Sequence, residues 1–426
     1  GMLYLAWCST LIGGFINFQI GLGMALMFAT VDQTLQPRRW WVVFLWRVVA
    51  ALLLTVMHIF SLGFYLAIVF GLEFSPTFVA VTSPGRFAGL CVRLALAASA
   101  CLLPALCLFI VAPVLPGQDT GLGLSWNNSI TLVFANLLSA VWTYSLMVDV
   151  LLMIPIVLVC SNAIRTKRLQ RHAGLLITAL GLLLIACISP RNAMGTGWIS
   201  WRFPIMAALV AMVMICPLPR LQRKKALMLA LALTSIVFAR TAWIGFNWWQ
   251  GQSDVADVRA ALTAAPEGAA ILPLANKPSD ADIGISHRYY AWREDTFRHL
   301  ATLAVPFAHD FVPTVFTAKG KQPLAVLPPW SDISVPEGNL FTPAVLSCPA
   351  ALESYGSFTP YLRQWRQRFD FVLILNADMP DRYLGAAAPS DLKLVRDSGF
   401  AKLYAIDKTA TSSAPAKCPS PLVADK

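Results

Sequence analysis

Charge is scarce in this sequence. Only 13% of its 426 residues are Asp, Glu, Lys or Arg, where soluble domains carry about 25%. With 57% hydrophobic residues and a mean hydropathy of +0.63, the chain is excluded from the ordinary soluble class and reads as an integral membrane protein. Acidic residues are scarcer still at the start. Residues 1–248 hold four of them against sixteen Lys and Arg, a net charge of +12, while residues 249–426 sum to −1. The basic excess therefore belongs to the apolar half. It is a topology signal and a contact for anionic membrane lipid, with no nucleic-acid partner expected.

Several motifs are missing. There is no CxxC, which removes support for zinc or thioredoxin chemistry. There is no GxSxG, HExxH, P-loop, or GxGxxG after a strand, and no internal repeat. Seven of nine cysteines (Cys8, Cys91, Cys101, Cys107, Cys160, Cys187, Cys216) lie in apolar runs, where a free thiol acts as a small hydrophobe. Cys348 and Cys418 lie in the polar half and could pair there in an oxidising compartment. The chain opens on Gly1 and enters an apolar run at once, without a basic n-region and cleavage site. The natural protein is accordingly expected to carry further residues ahead of Gly1.

What is present is a series of apolar runs. A span needs about 20 apolar residues, and Phe15–Val31, Phe87–Ala112, Trp142–Ser161, Ala173–Ile188, Phe203–Leu218 and Ala226–Phe246 qualify. Three intervening segments are dense in Lys and Arg, around Arg38, Arg168 and Lys224. Placing all three in the cytoplasm forces the long run Trp41–Phe74 to cross twice or not at all. It is read as a hairpin, Trp41–Val56 and His58–Phe74, turning near Met57-His58 on the outer face. That gives about eight spans. Ile130–Val141 is expected to lie along the outer surface. The expected architecture is a polytopic α-helical membrane bundle over residues 1–248, followed by a small periplasmic α/β domain over 249–408 and a disordered tail over 409–426. In the polar half "VADVRAALTAA", "TFRHLATLA" and "PYLRQWRQRF" read as helices. "GAAILPLA" and "FDFVLILN" read as strands, and "LKLVRDS" with "FAKLYAID" as a hairpin around Gly399.

Ionisable residues inside a span cost about 2.5–3.5 kcal/mol each at its centre and ask for a partner or a role. Asp149 reads either as a catalytic acid lining an outward cavity or as half of a buried pair. Arg191 and Arg202 flank the short outer loop "ISPRNAMGTGWISWRFP", and a guanidinium matches phosphate oxygens bidentately. They read as phosphate ligands or as headgroup anchors, with Arg202 the stronger candidate because it abuts the next span. His58 reads as an acid/base group or phosphate donor, or as a helix cap. Asn17 and Gln19 read as packing residues or site residues, and Gly13, Gly14, Gly21 and Gly23 as close-packing positions. Arg47, Arg93 and Arg240 are expected to neutralise partners or reach an interface, with Asp32 and Glu73 at the inner interface. Asp119, in an outer loop, could assist a metal. In "SHRYYAWREDTFRHL", Arg288 and Trp292 read as contacts for a carbohydrate or peptide, or as a surface lying on the membrane.

The runs "GFINFQIGLGMALMFATV", "LLLTVMHIFSLGFYLAIVFGLE" and "SPRNAMGTGWISWRFPIMAAL" resemble bacterial membrane glycosyltransferase-like proteins of the GT-C superfamily. The resemblance implies an enzyme of the inner membrane that uses a polyprenyl-phosphate-linked sugar, acts on the outer face, and passes the sugar to a glycan or lipid acceptor of the cell envelope. It implies that Arg191 and Arg202 face donor phosphate, with His58 in the same cavity, and it admits a divalent metal ion as cofactor. The family's acidic motif sits in the first outer loop, which on this reading lies ahead of Gly1. Asp149 is then a substitute candidate. A transporter or flippase for an envelope precursor, or a non-catalytic membrane scaffold, remain the alternative readings.

Overall fold

A computed structural model describes residues 2–36, 38–74, 84–112, 123–126, 129–166, 169–194, 196–217, 223–317, 324–335, 338–356, 359–383, 391–409 and 418. The chain divides into two compact units. Unit 1 comprises Gly1–Pro113, Asp119–Ile244 and Tyr290–Trp292. Unit 2 comprises Val114–Gln118, Gly245–Tyr289 and Arg293–Lys426.

Unit 1 is helical. Two short helices, α1 (Met2–Ala6) and α2 (Ser9–Ile12), precede α3 (Ile16–Leu35), α4 (Trp40–Met57), α5 (Ile59–Phe74) and α6 (Pro84–Val111). Then come α7 (Ile130–Asn136) with a 3-10 turn at Leu137–Ala140, α8 (Leu146–Arg165), α9 (Ala173–Ile188), α10 (Ile199–Val213) and α11 (Arg223–Leu262). Three helices among the described residues are long and apolar enough to cross a membrane: Trp40–Met57, Phe87–Val111 and Arg223–Leu262. The expected hairpin turn is present, with His58 alone between α4 and α5. Its φ of −173° and ψ of 125° break the helical path for one residue.

Both ends of the α9–α10 hairpin are tied. Strand β1 (Leu169–Arg171), ahead of α9, pairs antiparallel with β2 (Ile215–Pro217), behind α10. At the opposite end Ser125 bridges to Asn192, and Asn192 Nδ2 donates to Ser125 Oγ at 2.9 Å. The described residues beside two of the segments read as cytoplasmic, Leu169–Arg171 and Ile215–Pro217, thus meet at one end of the hairpin, and Ser125 and Asn192, of two loops read as outer, meet at the other.

Glycine sets how closely these helices approach. A Cβ on Gly21 of α3 would fall inside the Ser61 side chain of α5, whereas one on Gly23 would meet nothing within 4 Å. A Cβ on Gly71 would collide with Thr178 Oγ1 and lie 3.0 Å from the Gly174 carbonyl oxygen. Gly21 is a close-packing position as expected, and Gly23 is not.

The boundary drawn at Trp248 needs correction. Helix α11 continues unbroken to Leu262, and the unit division falls between Ile244 and Gly245. The run "VADVRAALTAA" extends the helical register of the apolar run before it, with no Pro between, and the helix passes through Gly251 without a break.

Unit 2 is built on a four-stranded sheet in the order β3-β6-β8-β7. Here β3 is Ile271–Ala275, while β4 (Tyr289–Tyr290) and β5 (Glu294–Asp295) flank the Ala291–Arg293 turn. Next come β6 (Phe371–Leu375), β7 (Leu392–Asp397) and β8 (Ala401–Ile406). Strands β3 and β6 run parallel. The β6–β8 and β7–β8 pairs are antiparallel, and the expected hairpin turns at Gly399, whose φ of +85° suits a residue without a Cβ. Successive side chains of β3 and β6 enter opposite cores. Leu272, Leu274, Val372 and Ile374 join one, and Ile271, Ala275, Leu373 and Leu375 the other. Burial on both faces is why these strands read as unbroken apolar runs.

Two expected helices in this unit are not continuous. "TFRHLATLA" forms a 3-10 turn at Leu300–Leu303 leading into α12 (Ala304–Ala308). The hydroxyls of Thr296 and Thr302 donate to the carbonyls of His287 and His299, a local competitor of the helical pattern. After α13 (Pro349–Gly356), "PYLRQWRQRF" gives a 3-10 turn at Pro360–Leu362 and the four-residue α14 (Trp365–Arg368), separated by Gln364 at φ −128°. Cys348 and Cys418 form a disulfide with a Cα–Cα distance of 5.3 Å. The tail reading otherwise falls outside the described residues, apart from Thr409.

Burial pushes the Asp381 carboxyl above its usual range, against the opposing hydrogen bonds from the Thr342 hydroxyl and the Tyr383 N–H. A folded pKa above the unfolded value of about 3.9 means this group's contribution is fully present below that pH. It is lost as pH rises through the folded pKa. Asp381→Asn, which stays neutral, should therefore melt above the wild type at pH 7.5, with the gap closing by pH 4. Gly21→Ala should destabilise the protein by roughly 1–3 kcal/mol through overpacking, and Gly23→Ala should not. Thermal unfolding of the purified protein measures all three.

Candidate functional site

Among the described residues unit 1 buries three arginines, and they are compensated differently. Arg47 on α4 donates from Nε and Nη2 to both carboxylate oxygens of Asp32 on α3 (2.8 and 2.9 Å) and from Nη2 to Glu73 on α5 (2.7 Å). Arg93 on α6 reaches the other oxygen of Glu73 at 3.2 Å. Asp32 is fully buried, so it is the Arg47 guanidinium, and not an inexpensive interface, that accommodates its charge.

Arg240 on α11 pairs with Asp149 on α8 at 2.7 Å, and both side chains are fully buried. Asp149 also accepts from the Thr143 backbone N–H (2.6 Å) and hydroxyl (2.8 Å). Arg240 Nη2 donates to the carbonyls of Trp7 and Val141, each at 2.7 Å, and the Tyr4 ring covers the guanidinium at 4.1 Å. Of its two readings, Asp149 shows the buried pair. Its carboxylate is enclosed by donors of its own unit.

Arg202 is different. It lies in the first turn of α10 and is 3% exposed, yet no carboxylate stands within ion-pair distance among the described residues. Its Nη2 donates to the Gly197 carbonyl at 3.2 Å, and Nε has no partner. Its Nη1 lies 2.9 Å from His58 Nε2. Three aromatic rings cover the guanidinium, Phe15 and Phe60 at 4.8 Å and Phe18 at 5.7 Å. Ring faces attract a cation but accept no bidentate hydrogen bond.

His58 sharpens the imbalance. The Phe60 backbone N–H donates to His58 Nδ1 at 3.2 Å, which caps the start of α5. A neutral imidazole has a single acceptor nitrogen, and a charged one has none. His58 therefore cannot accept from both Phe60 and Arg202. If Nδ1 keeps the cap, Nε2 carries the proton and meets Arg202 donor to donor. An oxygen of an anion between the two satisfies both, and Arg202 Nε adds a further donor.

The other sequence candidates are placed as follows. Arg191 is exposed, and its backbone N–H donates to the Ser125 carbonyl at 2.7 Å. Asn17 is exposed in the first turn of α3, and its Oδ1 accepts from the Phe18 N–H at 2.9 Å. Gly195 and Asp119 lie outside the described residues. In unit 2, Arg288 is saturated. Asp254 and Asp378 each take two of its bonds and Asn376 a fifth, at 2.7–3.0 Å, with His287 beside Asp254 at 2.8 Å. Burial alone would lower the Arg288 pKa, but the two carboxylates outweigh it and hold the group well above its ordinary value. Arg288 thus ties the 286–289 segment to the carboxyl end of β6.

Trp292 belongs to unit 1, in an indole ladder that the sequence reading missed. Trp198 stacks on Trp201 (4.9 Å, 15°), Trp201 on Trp292 (4.2 Å, 30°), and Trp292 lies against Trp142 (4.6 Å, 40°). Phe15 meets Trp198 edge-on at 5.5 Å, so the ladder and the Arg202 box share a wall. The repeated aromatics of "TGWISWRF" were its sequence signal, but their partners lie about sixty and ninety residues away.

No known family model, curated protein or solved structure matches this chain.

The two arginine environments predict opposite stability effects. Arg240→Met strands Asp149 and should cost about 3–5 kcal/mol. Arg202→Met leaves no carboxylate behind and should be neutral or stabilising in the absence of ligand. Comparing thermal unfolding of the two variants tests this.

Proposed function

We propose that unit 1 holds the phosphate of a membrane lipid on Arg202 and His58. On this reading the protein is a membrane glycosyltransferase-like enzyme that moves a sugar from a lipid-phosphate donor to a cell-envelope acceptor. One observation carries it: a buried guanidinium with an unpartnered Nε meets an imidazole that cannot accept from both it and the Phe60 N–H, with no carboxylate near it among the described residues, while Arg47 and Arg240 each have one. A phosphate oxygen is the acceptor that suits such a fork. In the transfer, the acceptor hydroxyl attacks the anomeric carbon from the opposite face as the bond to the phosphate oxygen breaks, and the hydroxyl proton passes through water to the released lipid phosphate, whose second ionisation lies near neutrality. The leaving phosphate gains negative charge, which Arg202 and His58 Nε2–H stabilise more strongly in the transition state than in the ground state. No group of three or more His, Cys, Asp or Glu side chains gathers among the described residues, and the reading routes no step through a metal.

The same proposal places the protein in the bacterial inner membrane with about eight spans and unit 2 on the periplasmic side. Shared ends for the loops read as inner, and for those read as outer, support the sidedness. The Cys348–Cys418 disulfide supports an oxidising location. On intact membranes, a thiol reagent should label these two cysteines only after reduction.

The functional test supplies radiolabelled polyprenyl-phosphate sugars to membranes carrying the full-length protein and follows label leaving the carrier. Arg202→Ala should cut turnover about 10²–10³-fold, the range for losing one donor to developing charge, with the variant still folded. Turnover unchanged in that variant would overturn the assignment.

A further inference from the structure

We infer that the Trp142–Trp292–Trp201–Trp198 ladder seats the sugar ring of the same ligand, with Trp292 Nε1–H donating to one of its hydroxyls. This rests on the reading of Arg202 as a phosphate site.

Continuity is the first argument. Phe15 touches both the guanidinium (4.8 Å) and Trp198 (5.5 Å), and Trp201 immediately precedes Arg202 in α10. A ring esterified to a phosphate on Arg202 has the ladder as its neighbouring wall.

The polar groups decide between a sugar and a prenyl chain. Trp201 Nε1 donates to Asn136 Oδ1 at 2.9 Å, and Asn136 Nδ2 donates to Ser200 Oγ at 3.3 Å. Trp292 Nε1 is buried and has no partner. A hydrocarbon chain offers nothing to that donor. The inner indole faces cover one another, so a pyranose meets the stack at its edge, setting apolar C–H groups against the ring rims and its hydroxyls against N–H groups, which matches the two-sided character of tryptophan.

Backbone conformation is the third argument. Trp198 and Trp292 both sit in the left-handed region at φ 56°, and Arg293 follows at φ 63°. Bulky side chains are uncommon there, and such strain gathers at ligand sites. Stacking two indoles from these positions onto Trp201 holds them where an ordinary helix or loop geometry would not.

The test uses the full-length protein in nanodiscs and two probes, a short prenyl phosphate and the same prenyl phosphate esterified to a hexose, read by equilibrium binding. The hexose form should bind about tenfold tighter, the scale of one good hydrogen bond plus ring contact. That advantage should shrink severalfold in Trp292→Phe, which keeps a ring and loses the N–H, and vanish in Trp198→Ala. Affinity for the sugar-free probe should stay at the wild-type level in Trp292→Phe, which also reports that this variant folds, and thermal unfolding reports the same for Trp198→Ala. Equal binding of the two probes by the wild type, or a hexose advantage that survives both substitutions, would overturn the ladder assignment while leaving the phosphate site standing. Sugar-free binding that is absent, or indifferent to Arg202→Ala, would instead remove the phosphate reading and this inference with it.

Discussion

A guanidinium stays charged when it is buried, because it holds its proton far above neutral pH. Inside an apolar helical unit that charge must be answered by a neighbour or by a ligand. Arg47 is answered by Asp32 and Glu73 and ties α3, α4 and α5 together. Arg240 is answered by Asp149 and joins α8 to α11. Among the described residues, Arg202 is answered by ring faces, one carbonyl and an imidazole whose single acceptor the Phe60 N–H also claims. The fold gives the first two charges a carboxylate and leaves the third without one among the described residues, although Arg240 Nε, like Arg202 Nε, has no partner.

The position of that third charge follows from local structure. His58 interrupts the run from Trp40 to Phe74 for one residue, and the break both turns the α4–α5 hairpin and caps α5. Trp198 starts α10 from a left-handed conformation, which sets Arg202 in the first helical turn beside the Gly197 carbonyl. Phe15, at the entrance of α3, closes the box from a third element. Three helix starts meet at one point, so a small number of backbone irregularities builds the whole site. Unit 2 uses its charges in another way. Arg288, Asp254 and Asp378 form a closed network at the carboxyl end of β6, and every guanidinium donor is used within it.

Much of this was legible in the sequence, for identifiable reasons. Apolar runs and the alternation of basic connections located the helices and the His58 turn, since length and charge density are local properties. The strands around Leu272 and Leu373 were legible because burial on both faces leaves an unbroken apolar run. Arg202 and His58 were legible as candidates, because an ionisable group beside a span always calls for a partner. Their 2.9 Å approach was not, since it depends on the packing of α10 against α5 across 144 residues. Asp149 could be read two ways until Arg240, 91 residues on, was placed against it. The α11 boundary was misread because the Trp and Phe cluster near residue 248 resembles an interfacial belt, yet an aromatic cluster does not end a helix. The indole ladder was missed because stacking between distant segments leaves no periodic trace.

The most direct measurement of the central claim is the tautomer of His58. With 15N-labelled histidine in the full-length protein, and His58→Gln to assign its signals among the five histidines, NMR would follow the ring nitrogens as a short prenyl phosphate is added. The account predicts that the phosphate fixes the Nε2–H form, with Nδ1 as acceptor from Phe60 and Nε2–H directed at a phosphate oxygen. It also predicts that this change is lost in Arg202→Ala. His58 signals that do not respond to the phosphate, or that respond equally without Arg202, would contradict it.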